Sequence, residues 1–293
     1  MTTLVQQLLN GLIQGSLYVI VALGLTLIYG VLVQINFAHG EFLMLGAFAG
    51  FLGVDRLDLP YAMSVVVATL VGGLMGVLVE FAIFRPLRKR KTDALRPLVA
   101  TVGVSILLQN LALLYFGPNP KQYASPYTQP TIEIFGLYLS YQRAIIFVVS
   151  VSAIVALFMF LRTTATGRAM RAVSQDASAA SLMGVNVSKI ILMTFIIGSA
   201  LAGLGGSLLG PLLVVEPLVG ANIIVLAFAI VIIGGFGNVN GTIIAGLLVG
   251  VIESLVTGYL EAGLSSLIIF SILLLTLAVR PTGLIAERVD ENV

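Results

Sequence analysis

Long apolar stretches dominate the chain, at residues 12–33, 37–54, 61–84, 98–116, 143–161, 190–215, 219–236, 242–260 and 264–279. Each is long enough, or nearly so, for a hydrocarbon layer of about 30 Å at about 1.5 Å per helical residue. In runs this apolar, period does not distinguish helix from strand. Length does, because membrane-barrel strands are about 10 residues long and alternate polar with apolar. The pattern predicts an all-α fold, a polytopic transmembrane bundle of about eight or nine hydrophobic helices. The second run is the ambiguous one. Its strictly apolar part is Phe42 to Val54, a length that also suits a re-entrant segment. If it crosses, the N-terminus is outside; if it re-enters, the N-terminus is inside. Crossing is the preferred reading.

Composition agrees. Hydrophobic residues make up 59% of the 293, mean hydropathy is +1.10, and charged residues are 10%, against about 25% in soluble domains. No soluble domain or linker interrupts the pattern, so residues 1–293 read as a single transmembrane domain. The first basic residue is Arg56, so the N-terminal run is expected to be a span rather than a secretory signal. The 31 glycines fit close helix packing. The stretches 39–50 and 240–250 share a weak glycine spacing, too faint to establish a duplication.

Basic residues orient the bundle. Arg85, Arg88, Lys89, Arg90, Lys91 and Arg96 crowd one loop, Arg162, Arg168, Arg171 and Lys189 a second, and Arg280 and Arg288 the C-terminus. The positive-inside rule puts all three in the cytoplasm. An even number of spans separates them, so the loop 117–142 is external. Its Pro118, Pro120, Pro126 and Pro130 predict an irregular segment and not a tenth helix.

Several chemistries are excluded. None of the four lysines follows a glycine, so no P-loop is present. One histidine and no cysteine leave no two-His or cysteine zinc site, and no GxSxG motif accompanies His39. No catalytic residue, cofactor or metal is expected. A net charge of +2 gives no field for nucleic acid; membrane lipid is the expected surrounding. Polar residues near the spans carry the remaining candidates. Asn36, His39 and Glu41 gather at a helix start, either as caps and dipole partners or as a polar lining for a substrate path. Glu253 lies mid-span and either faces a polar path or bonds a neighbouring helix. Gln109, Asn110 and Asn222 are helix glue or path. Glu80, near a cytoplasmic end, is expected to pair with Arg85 or to snorkel, in either case a structural role. Gly203–Gly206 and Gly234–Gly237 read as close-packing or helix-break sites.

The loop Thr166–Lys189 stands apart. Thr166 is a candidate N-cap and Gly184 a helix stop. Between them Ala169, Ala172, Val173, Ala177, Ala180 and Met183 recur at three- or four-residue spacing and form a small-residue face. Poor in Leu, Phe and Trp, that face suits docking into a protein groove better than lying on a bilayer.

Together these segments resemble the membrane permeases of the branched-chain amino acid ABC importers, the hydrophobic amino acid uptake family, nearest the first of its two paralogous permease types. The resemblance runs in order through Ile35–Glu41, Arg85-Pro86, Leu108–Asn110, Gly167–Ala169, Arg171-Ala172, Asp176, Ala180-Ser181, Met183–Asn186, Gly234–Gly237 and Pro281–Gly283. One departure is Asn240, where the family's glycine-rich turn carries proline before Gly241. The resemblance implies a bacterial or archaeal cytoplasmic membrane and several partners. These are a second paralogous permease, two cytoplasmic ATPases that hydrolyse the ATP, and a periplasmic or extracellular substrate-binding protein. It makes Gly167, Arg168, Arg171, Asp176, Ala180 and Gly184 the segment coupled to an ATPase. Asn36, Glu41, Gln109, Asn110, Asn222 and Glu253 are the expected path for leucine, isoleucine or valine. A sister importer for urea, short amides or other amino acids, or an ion-coupled secondary transporter, is the alternative.

Overall fold

In a computed structural model, which describes residues 2–90, 95–123, 125, 127, 131–134 and 136–285, the described residues form twelve α-helices in order. They are α1 Thr2–Leu32, α2 His39–Asp55, α3 Tyr61–Val79, α4 Arg85–Lys89, α5 Leu95–Phe116, α6 Tyr141–Thr163, α7 Ala165–Gln175, α8 Ala177–Leu182, α9 Val187–Leu209, α10 Val219–Gly234, α11 Val239–Tyr259 and α12 Ala262–Val279. A π turn, Glu80–Phe84, joins α3 to α4. Among the described residues seven helices are long and apolar enough to cross a membrane, with α3 through α4 counted as one. The chain is a multi-pass membrane protein. Lys91, Pro126, Pro130 and Arg288 lie outside the described residues.

The two ends of the bundle are distinct. At one end stands a hairpin, β1 Thr131–Ile134 against β2 Leu137–Ser140, where the sequence predicts only irregular loop. Its signal is the alternation Thr-Ile-Glu-Ile and Leu-Tyr-Leu-Ser around Gly136, which has φ +78°. Gln6 of α1 clamps β2, donating from Nε2 to the Tyr138 carbonyl at 2.9 Å and accepting the Tyr138 N–H at 2.8 Å. The N-terminus therefore lies at the hairpin end. The opposite, basic end holds α4, α7 and α8, and the C-terminal segment packs there through Leu284 N–H on Ile233 O.

The second apolar run crosses in two parts. After α1 the chain turns back through residues 33–38, with Val33 in the left-handed region at φ 53°. α2 then starts deep in the bundle. His39 Nε2 lies 3.2 Å from the carbonyl of Val21, near the midpoint of α1. Its 17 residues span about 25 Å and end at the hairpin end, with Gly50 against Tyr123 and Gly53 against Ser64. The seventh run repeats the device. Residues 210–218 are not helical beyond a turn, Val215 pairs with Lys121, and α10 begins where Gly220 meets Gly40. α10 then runs 16 residues to the basic end and stops at Gly235. So α1–α2–α3 and α9–α10–α11 follow one order in opposite directions, each with a shortened middle helix. This relation pairs α2 with α10, not with α11, so the weak glycine spacing at 39–50 and 240–250 is not its trace.

Glycines let the halves meet. A Cβ on Gly24 would overlap the Gly198 carbonyl of α9, and one on Gly198 the Gly24 carbonyl; Gly40 and Gly220 obstruct each other in the same way. Lipid supplies no hydrophobic drive between helices, so this close approach carries the association. Thr26 and Thr242 add a buried 2.7 Å hydrogen bond between α1 and α11. Glu80 pairs with Arg88 at 2.5 Å rather than with Arg85, because the π turn shifts the helix face; Arg85 lies over the Phe81 ring instead.

Gly40→Ala should destabilise the protein by about 1–3 kcal/mol through overpacking, seen as a lowered thermal midpoint in detergent. Gly103→Ala, with nothing within 4 Å of an added Cβ, should be neutral or stabilising by up to about 1 kcal/mol.

Candidate functional site

α5 is mostly apolar, and Thr101, Ser105 and Gln109, spaced by four, form a polar stripe along one helix face. That face meets the broken start of α2. Thr101 Oγ1 accepts the Phe37 N–H at 3.2 Å while donating to Leu98 O. Ser105 Oγ donates to Glu41 Oε1 at 2.8 Å, and Gln109 Nε2 donates to the same oxygen at 2.7 Å. Glu41 is fully buried, and its Oε2 has no partner. Its place in the first turn of α2 sets the carboxylate on the positive end of the helix dipole. Asn36 is also buried; its Oδ1 accepts the Ala38 N–H at 3.1 Å, and its Nδ2 is unpartnered. The His39 ring lies edge-on to Phe42. Thus the broken backbone, a carboxylate oxygen and an amide nitrogen converge on one polar seam. α5 covers the seam from one side and is itself mostly unburied by the chain.

The seam gathers Asn36, Glu41 and Gln109 and leaves out three other expected residues. Asn110 projects to the exposed face of α5 and donates to its own helix at Ile106 O. Asn222 is exposed on α10. Glu253 faces Tyr18 in a separate cleft nearer the hairpin end. Sequence reading missed Thr101 and Ser105, whose four-residue spacing from Gln109 is the signal that finds them.

At the basic end the predicted helix Thr166–Gly184 is two helices. Thr164, not Thr166, caps α7, its Oγ1 accepting the Gly167 N–H at 2.9 Å. Asp176 ends α7 and caps α8, accepting Ser178 N–H at 2.7 Å and Ala179 N–H at 3.0 Å. Gly184 closes α8 with φ +87°, a conformation strained for any L side chain. Arg168 and Arg171 donate to Thr163 O and Leu161 O, satisfying carbonyls at the end of α6. The expected small-residue face is divided: Val173 and Ala180 are buried and Ala169 and Ala172 half-buried, while Ala177 and Met183 are exposed; Gly167 and Met170 also turn inward and Leu182 outward. Leu182 is 90% exposed and Met183 85%, so the outward surface belongs to α8.

The family model described as the branched-chain amino acid transport system permease component matches residues 7–277, which include both the seam and the basic-end helices. The chain belongs to this family. It is 35% identical to the high-affinity branched-chain amino acid transport system permease protein LivH of Escherichia coli K12, over 98% of this chain and 97% of that one. It is 34% identical to the corresponding permease BraD of Pseudomonas aeruginosa, with the same coverage. The permease protein LivM of the same E. coli system is 26% identical over 92% of this chain and 68% of its own. No solved structure matches.

For a permease of this family, the departure at Asn240 is mild. Asn238 caps α11 by accepting the Gly241 N–H at 2.9 Å, so Asn240 occupies the first turn, where an N–H has no helical partner and proline is tolerated.

Replacing Glu41 by alanine strands the Ser105 and Gln109 donors and should cost about 1–3 kcal/mol. Asn110→Ala should change stability by less than about 0.5 kcal/mol. Thermal unfolding of the two variants side by side checks the contrast.

Proposed function

We propose that this permease carries branched-chain amino acids across the cytoplasmic membrane of a bacterium or archaeon as the channel-forming subunit of an ATP-driven importer. The observation that carries this reading is likeness to LivH and BraD along essentially the whole length of both chains, with the Glu41 seam inside the matched region. In this reading residues 1–293 act as one transmembrane domain. Its basic end, with the C-terminus, faces the cytoplasm, and the hairpin end faces the substrate-binding protein.

The substrate is a zwitterion with an apolar tail. It needs a few polar groups among small and apolar side chains, not a charged filter. The seam at Asn36, Glu41 and Gln109, extended by Thr101 and Ser105, supplies them. α5, little covered by its own chain, meets a second permease, and the path runs between the two. LivM, a second permease of the E. coli system, is the model for that partner. ATP is hydrolysed elsewhere: this chain lacks a P-loop, and one of the two ATPases receives α8, where Leu182 and the capping Met183 point outward on a base held by Arg168, Arg171, Asp176 and Gly184. Nucleotide-driven movement of α8 shifts the two inverted halves, and only contacts that differ between the two states drive the cycle.

Reconstitution of this chain with its partner permease, ATPases and binding protein should give leucine uptake that requires ATP, with a polar amino acid and urea left behind. Leu182→Asp should leave the permease folded but reduce ATP-driven uptake at least about tenfold, by burying a charge at the interface. Uptake by the lone chain, or preference for urea, would overturn the assignment.

A further inference from the structure

A second polar cleft lies away from the Glu41 seam, between α1, α6 and α11 near the hairpin end. Its volume is about 320 Å³, the size of an amino acid or a lipid headgroup. One wall carries Arg143 of α6 and another Glu253 of α11, with an amide fringe from α1 between them. The amides are committed. Ser254 Oγ pins Gln7, its single hydrogen shared between the backbone and side-chain oxygens, each at 2.8 Å. Gln14 donates to the Tyr18 hydroxyl at 2.7 Å, and Asn10 Oδ1 accepts from Arg143 Nη1 at 2.6 Å and from Gln6.

The charges are not committed to each other. The ion pair within 4 Å among the described residues is Arg88–Glu80 alone. The Glu253 carboxylate takes the Tyr18 hydroxyl as one partner, while its Oε2 is shielded from solvent and has no donor, a costly arrangement for a buried polar atom. Among the described residues Arg143 spends only one of its five guanidinium N–H groups on a side chain. Glu253 lies six residues before the end of α11, about 9 Å below it along the axis, on the hairpin side of the helix midpoint. A single molecule carrying an acid group and a primary ammonium a few atoms apart would satisfy both walls.

We infer that the Arg143–Glu253 cleft binds a zwitterion, its acid group on Arg143 and its ammonium on Glu253. The bound molecule is either a free α-amino acid arriving at the hairpin end or the phosphoethanolamine headgroup of a lipid in the adjoining leaflet. This inference is independent of the path through the Glu41 seam.

The test uses the full-length chain, purified and stripped of lipid. One arm measures retention of phosphatidylethanolamine against phosphatidylglycerol of matched acyl chains by native mass spectrometry. The other measures binding of labelled leucine by the chain in phosphatidylglycerol-only nanodiscs. We expect wild type to hold one of the two zwitterions, and Glu253→Gln and Arg143→Gln each to weaken it about tenfold, the loss of one charged hydrogen bond. Glu253→Asp, which keeps the carboxylate, should retain binding, and this separates loss of charge from loss of fold. Ethanolamine-lipid preference identifies a lipid site, and leucine binding identifies a substrate site. Wild type that binds neither zwitterion, or charge-removing variants that bind as wild type does, would overturn the inference.

Discussion

Non-helical backbone inside a membrane must be covered by protein, because lipid offers its N–H and C=O groups nothing. The chain breaks its helices at depth twice, before α2 and before α10, and the rest of the structure follows from having to cover those breaks. Gly40 and Gly220 bring the two helix starts into contact, and Gly24 and Gly198 let α1 and α9 cross beside them. α1, α3, α9 and α11 form the enclosing wall. Inverted halves with discontinuous helices meeting at depth are a recurrent way to place a polar site inside a bilayer while leaving two bodies able to rock.

The candidate path grows from the same breaks. A helix start exposes N–H groups and a positive dipole end, which makes a buried Glu41 tolerable. Ser105 and Gln109 then bind one carboxylate oxygen and leave the other buried without a partner. The basic end works differently. There the arginines secure the end of α6, Asp176 caps α8, and two exposed apolar side chains are left to face outward. The polar seam and the outward-facing α8 thus lie at different depths of the bundle.

Much of this was legible in the sequence, because lipid selects long apolar runs and the basic loops mark their ends. The failures have physical causes. α1 begins ten residues before its apolar run, since Gln6, Gln7 and Asn10 are satisfied by β2, Ser254 and Arg143 rather than by water. The hairpin was hidden by the prolines around it. Thr164 caps α7 where Thr166 was expected, and Glu80 bonds Arg88 rather than Arg85, because a two-residue shift or a π turn rotates the face without changing composition. Asn36, Glu41 and Gln109 come together, but Asn110 and Asn222 do not, since helical phase relative to partners is a tertiary property. Thr101 and Ser105 were readable from spacing, whereas their junction with residue 37 and Glu41 required the fold.

The chain has no cysteine, so a single introduced thiol reports its own environment. The most direct test of the path along α5 is the reactivity of Ser105→Cys toward a membrane-impermeant thiol reagent in the assembled importer, with and without leucine-loaded binding protein and ATP. Ser105→Cys should be labelled, its labelling should change between nucleotide states, and transported leucine should protect it, while Leu114→Cys on the outer face of the same helix stays unlabelled throughout. A thiol at 105 that never reacts in any state, or reacts identically with and without substrate, would contradict a path through the Glu41 seam.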